Sequence, residues 1–189
     1  MNIPQKFGNK ERGVFIWSDF FSLFGNKNDV ILDFGCGPAW SIYTGLSLGY
    51  NIRGVDIDNE FYPNEIMNPF REEIGVLDYV DIYDGFNIPY LNNSFDLIVC
   101  KASFDKFQTS LIRVNEDERD ELVNFRLTEF SRILRGNKTL VIAGGMKGVN
   151  RSLFENYEIN VLRWRFRTRL REIQPDYFRK KFSEEELDE

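Results

Sequence analysis

The chain alternates between short, nearly unbroken apolar runs and longer stretches in which apolar side chains return every three or four residues. Strands buried on both sides produce the first pattern, and helices lying on a sheet produce the second. From about Glu11 to Phe24, Val14, Trp17, Phe20, Phe21 and Phe24 form an apolar stripe near helical spacing, which Gly25-Asn26 ends. DVILDF (Asp29 to Phe34) predicts a first buried strand, Ala39 to Leu48 its crossover helix and NIRGVDI (Asn51 to Ile57) a second strand. A short helix is expected over residues 59–68, bounded by Pro63 and Pro69, followed by strands at Leu77 to Tyr83 and SFDLIVC (Ser94 to Cys100). A charged helix from about Asn115 to Leu134 carries Leu122, Phe125, Leu127, Phe130 and Ile133. Asn115 is placed to cap its start, and Arg132 and Arg135 suit its far end. Lys138 to Ala143 is the fifth strand. This alternation predicts an α/β fold with a doubly wound, mostly parallel sheet and helices on both faces.

With 189 residues and no repeat or linker, the chain is expected to form a single domain over 1–189. Residues 1–27 would be a helical cap, 28–145 the core, and 146–189 a closing segment with an acidic tail. There is no histidine. Imidazole-dependent triads and proton shuttles are thereby excluded, and with the commonest metal ligand missing no metal site is expected. Two cysteines, Cys36 and Cys100, lie in apolar runs and are expected as reduced thiols. No signal-peptide core and no apolar run of about 18 residues occurs, so a soluble, cytoplasmic protein is expected. The net charge of −6 is unevenly spread: residues 1–150 carry −6, 151–181 carry +5 and 182–189 carry −5.

In a doubly wound sheet, ligands bind beyond the carboxyl ends of the strands, so the residues following each strand carry the chemistry. The first strand is followed by Gly35-Cys36-Gly37, where glycines allow a tight turn and close approach of a ligand to the backbone, ahead of a helix N-terminus. Asp56 ends the second strand, 19 positions after Gly37, where a carboxylate can accept hydrogen bonds from both ribose hydroxyls of a nucleoside cofactor.

Four segments, in order and in register, resemble the class I S-adenosylmethionine-dependent methyltransferases over roughly residues 28–145. VILDFGCGPAW (Val30 to Trp40) resembles the D-x-G-x-G motif of that family, and GVDID (Gly54 to Asp58) the acidic segment after its second strand. DGFNIPYLNNSFDLIVC (Asp84 to Cys100) resembles the run leading into the family's fourth strand, and LTEFSRILRGNKTLVIA (Leu127 to Ala143) the helix leading into its fifth. Ala39 stands where the family often has a third glycine, and Gly136-Asn137 replaces the commoner Gly-Gly turn. Trp40 occupies the position where a nicotinamide enzyme would need glycine.

The resemblance implies a Rossmann-like fold, S-adenosyl-L-methionine as cofactor and methyl transfer as the activity. It implies that Gly35, Cys36 and Gly37 line the methionine and ribose part of the cofactor, that Asp56 binds the ribose hydroxyls and that Ile57 packs on adenine. Asp33 either helps hold the cofactor's amino group or caps its own loop. Asp84, flanked by Gly85 and Phe86, either meets the adenine amine or closes a turn. Lys101 either faces the sulfonium region or sits on the rim, since a cation beside a sulfonium is unfavourable unless it points away. Asp105 follows the fourth strand in a slot near the acceptor and is the candidate catalytic base, its alternative being a turn cap or a pair with Lys106.

The acceptor is expected to be a small or sugar-containing molecule offering an O, N or C nucleophile. One alternative is a nucleic-acid methyltransferase using the arginines that alternate from Arg163 to Arg171, which would share one face of a strand. Those arginines would otherwise guard a strand edge, and the chain lacks the Asn/Asp-Pro-Pro-Tyr/Phe signature after its fourth strand, reading Cys100-Lys101-Ala102-Ser103-Phe104. Another alternative is a non-catalytic binding protein on the same fold.

Overall fold

Burial along the strands is nearly continuous, and alternate side chains pack on opposite faces of one sheet. The structure, a computed structural model, describes residues 10–58, 63–104, 115–143 and 160–161. The chain forms α1 (Lys10–Phe24), β1 (Val30–Phe34), α2 (Trp40–Ser47), β2 (Asn51–Ile57) and α3 (Asn64–Glu73). It continues with β3 (Val80–Tyr83), β4 (Phe95–Lys101), α4 (Glu116–Ile133), β5 (Leu134–Ala143) and β6 (Asn160–Val161). The strands make one sheet in the order β3-β2-β1-β4-β5-β6, and every described pairing is parallel. From β1 the chain winds one way to β2 and β3 and the other way to β4, β5 and β6. The loop after β1 therefore lies at the switch point, where neighbouring strand ends diverge.

One face packs α1, α2 and α3 on Ile31, Ile52, Leu97, Val99 and Val141. The apolar stripe of α1 is core: Trp17, Phe20 and Phe21 are all buried there. The opposite face packs Val123, Leu127, Phe130 and Ile133 of α4 on Leu32, Phe34, Ile98, Cys100 and Ile142. Asn115 caps α4 as the sequence predicts, its side chain accepting from the Glu118 amide. Helices on both faces of a parallel sheet give the Rossmann-like, doubly wound architecture.

Three local expectations are corrected. The helix expected over 59–68 is α3 at Asn64–Glu73, with Pro63 at its N-cap and Pro69 inside it. Pro69 forfeits only a bond to the carbonyl of exposed Glu65 in the first turn, while Met67, Phe70 and Arg71 carry the buried face past it. Leu77–Tyr79 is a 3-10 turn rather than the start of β3. Gly75, at φ +71°, reverses the chain after α3, and the Tyr79 amide bonds back to the Val76 carbonyl. β5 begins at Leu134, not Lys138. The amides of Asn93 and Ser94 reach the carbonyls of Arg132 and Ile133, so the chain is already held beside β4 where α4 ends. Among the described residues no helix is long and apolar enough to cross a membrane.

Candidate functional site

The parallel register brings the ends of β1, β2 and β4 level, with Phe34 opposite both Val55 and Cys100. The chain then turns through Gly35 at φ +71° and Gly37 at φ +53°. The amides of Gly35 and Cys36 bond to the Val55 carbonyl at 2.8 and 3.3 Å, which folds the loop over the end of β2. The two glycines answer to different constraints. A Cβ on Gly35 would lie 2.2 Å from the Ser103 Cβ, so protein packing demands that glycine. A Cβ on Gly37 would meet nothing within 4 Å, so this part of the loop presents backbone to open space. Ser103 locks the first position further by donating its hydroxyl to the Phe34 carbonyl. Ala39, at the place of the resemblance's third glycine, has φ +63°, a left-handed conformation that costs an L-residue about 1–2 kcal/mol.

Asp56 is the hub of the site. Its Oδ2 accepts from the Gly37 amide at 2.9 Å and from Arg71 Nη2 at 3.0 Å, and its Oδ1 from the Ile57 amide at 2.9 Å. Burial pushes its carboxyl above the usual range, and Arg71 and the two amides oppose that rise. Arg71 reaches in from α3 with its side chain 1% exposed and also donates twice to the Gly37 carbonyl, at 2.8 and 3.1 Å. One guanidinium thus ties α3, the glycine loop and the acid of β2 together.

Asp33 is buried at the same end of the sheet and accepts from the Ser41 hydroxyl of α2. Burial raises it to about 7, against the lowering influence of Ser41 and Lys101. Lys101 ends β4 with its ammonium 5.9 Å from the centre of the Trp17 ring, turned toward α1. Burial also raises the thiol of Cys36 well above its ordinary value, so a neutral sulfur lies beside the two carboxylates.

On the β3 side, Asp84 is exposed and closes its own turn, Oδ1 accepting from the Phe86 and Asn87 amides at 2.8 Å each. Those bonds hold its carboxyl below the usual range. Gly85, at φ +92°, gives its carbonyl to Arg126 Nη2 at 3.0 Å, while Arg126 Nη1 donates to the Tyr83 hydroxyl at 2.8 Å. The Arg126 guanidinium stacks 4.3 Å from the Phe34 ring. Phe86 is exposed and meets Phe125 edge-on with ring centres 6.2 Å apart.

The structure thus gathers Asp33, Gly35, Cys36, Gly37, Asp56 and Ile57 around the loop, with Lys101 beside Asp33 and Asp84, Gly85 and Phe86 after β3. Asp105 and the arginines from Arg163 to Arg171 lie outside the described residues. The sequence reading missed Arg71, Arg126, Ser41 and Ser103. Arg71 follows Met67 by four positions and Arg126 follows Val123 by three, so each arginine sits on its helix's apolar stripe, the one signal that marks it.

A doubly wound parallel sheet with a glycine loop latched to an acid at the next strand's end is the arrangement on which such folds place nucleoside cofactors. The open backbone at Gly37 beside a buried carboxylate fits such a group. A family model described as a methyltransferase domain matches residues 32–142. The chain belongs to that family, the class I S-adenosylmethionine-dependent methyltransferases. Its fold is similar to that of a SAM-dependent methyltransferase from Aquifex aeolicus, with TM-score 0.54 and 17% identity over 82% of this chain and 88% of that one. It is also similar to the PH0226 protein from Pyrococcus horikoshii OT3, with TM-score 0.56 and 14% identity over 75% of this chain and 62% of that one. A UDP-N-acetylmuramate–L-alanine ligase from Borrelia garinii subsp. bavariensis is 42% identical over 60 residues, 32% of this chain. The match spans 12% of that ligase's length.

Proposed function

We propose that this chain binds S-adenosyl-L-methionine across the β1 loop and transfers its methyl group to an O, N or C nucleophile of a small or sugar-containing acceptor. The observation that carries the reading is the Gly37 latch, in which an open backbone turn is bonded to the Asp56 carboxylate at the switch point. When bound, the cofactor supplies a methyl group already activated for in-line displacement, so the protein's part is proximity and orientation.

Gly35, Cys36 and Gly37 shape the turn along the methionine and ribose part, with the bare Gly37 Cα facing it, and Asp56 accepts from the ribose. Asp33 lies deep enough to act on the amino group only through its neighbours, its carboxylate being engaged by Ser41. Ile57, Phe86 and Gly85 line the side where an adenine would lie. Asp84 spends Oδ1 on its own turn, which leaves Oδ2, bonded to Asn87 Nδ2 at 3.2 Å, as the oxygen nearer to hand for an exocyclic amine. Lys101, drawn toward Trp17 and Asp33, keeps its charge away from a sulfonium. Asp105 remains the candidate base, and in a chain without histidine the other choices are tyrosine, lysine or water. The preference for a small acceptor rests on the likeness of the Asn87 to Asp96 run to small-molecule methyltransferases, an argument by analogy.

The test offers methyl-labelled S-adenosylmethionine with three acceptor pools: small metabolites, sugar conjugates and oligonucleotides. Label in the first or second pool is expected. Label in oligonucleotides alone would replace the acceptor assignment with the nucleic-acid one, and binding without transfer to any pool would favour the non-catalytic alternative.

A further inference from the structure

A carboxylate has about four accepting positions, two on each oxygen. At Asp56, among the described residues, the Gly37 amide and Arg71 Nη2 fill both positions on Oδ2, and the Ile57 amide fills one on Oδ1. One accepting position remains, on Oδ1, although a ribose brings two neighbouring hydroxyls. Arg71 does not give way easily. Its other nitrogens donate to the Gly37 carbonyl at 3.1 Å through Nε and to Asn68 Oδ1 at 3.2 Å through Nη1, and its side chain is 1% exposed. Moving it would strand a buried cation and a buried carboxylate together.

We propose that Arg71 is a positioning residue that sets how the ribose is read: by holding Oδ2 of Asp56, it leaves the carboxylate to recognise a single ribose hydroxyl through Oδ1. This rests on the cofactor reading above. A guanidinium suits the task because its planar fork serves the Gly37 carbonyl and the Asp56 carboxylate at once, which a lysine ammonium cannot do with the same geometry.

The test is calorimetric titration of the whole chain with S-adenosylhomocysteine and with its 2′-deoxy and 3′-deoxy forms. In the wild type, one deoxy form is expected to bind about tenfold or more weakly than the parent and the other within about threefold, since only one hydroxyl meets a charged acceptor. In Arg71→Met, Oδ2 opens to the second hydroxyl, and the two deoxy forms should bind within about threefold of one another. Arg71→Lys should fall between. Near-ultraviolet circular dichroism shows which variants fold, and if Arg71→Met does not, the wild-type ratio and Arg71→Lys decide. Equal losses for both deoxy forms in the wild type, or an unchanged ratio in a folded variant, would overturn the role given to Arg71 while leaving the cofactor reading in place. A wild type that binds none of the three ligands overturns the cofactor reading itself, and this inference with it.

Discussion

Among the described residues, each face of the sheet buries one arginine, and the two are accommodated differently. Arg71, on the α1–α3 face, is matched by a carboxylate, and the pair also fastens the glycine loop. Arg126, on the α4 face, lies against the Phe34 and Tyr83 rings and donates to a phenol and a carbonyl, and its charge joins Arg132 in holding the Glu129 carboxyl below the usual range. Arg71 shares a direct ion pair with Asp56, whereas the hydrogen bonds described for Arg126 go to a phenol and a carbonyl beneath two aromatic rings. Arg71 is therefore coupled to the ionisation and geometry of Asp56, whereas Arg126 mainly shapes the turn after β3.

The sharpest way to break this contrast is to remove each cation in turn. Arg71→Met strands the Asp56 carboxylate in a buried site and should cost about 3–5 kcal/mol in denaturant unfolding. Arg126→Met leaves behind a phenol and a carbonyl short of donors and should cost about 1–3 kcal/mol. Equal losses would mean that the two faces solve the problem alike. A double-mutant cycle asks the same question of the pairing. Arg71→Met with Asp56→Asn should show a coupling of about 1–3 kcal/mol, whereas Arg126→Met with Asp56→Asn should be additive to about 0.5 kcal/mol.

A pH-dependent effect comes from Asp33, on the same face as Arg71 but hydrogen-bonded to neutral Ser41. Burial raises it from 3.8 to about 7, so between those values the folded chain keeps a proton that the unfolded chain has released. Its contribution to stability is full below pH 3.8 and is lost as pH rises to about 7. The stability of Asp33→Asn relative to wild type should therefore improve across that window. A pH-independent difference would show that Asp33 is ionised in the fold throughout.

The β1, β2, β4 and α4 segments were legible because burial on both sides of a parallel strand, and on one side of a long helix, writes itself into apolar spacing. Asp56 and the Gly35–Gly37 turn were legible for a related reason, since a switch point needs glycine and acid at fixed places. The end of α3 was misplaced because proline reads as a boundary, while here Pro69 gives up only a bond in an exposed turn. Arg71 and Arg126 were missed because a charged residue on a helix reads as its solvated side. Their partners, Asp56 and Gly37 for one and Tyr83 and Gly85 for the other, lie far away in sequence and meet them only through the sheet. Asp84 is the reverse case: the hydrogen bonds that close its turn are to Phe86 and Asn87, near neighbours, so the plain turn was visible in the sequence from the start.

In the proposed site the Asp56 carboxylate and the loop it holds form the ribose end. The most direct measurement is the affinity of S-adenosylmethionine for the wild type and for Asp56→Asn, with the fold of both verified by circular dichroism. Saturable binding at one site, weakened about tenfold or more by the substitution, is the predicted result. Equal affinity in the two proteins, or none in a folded wild type, would contradict it.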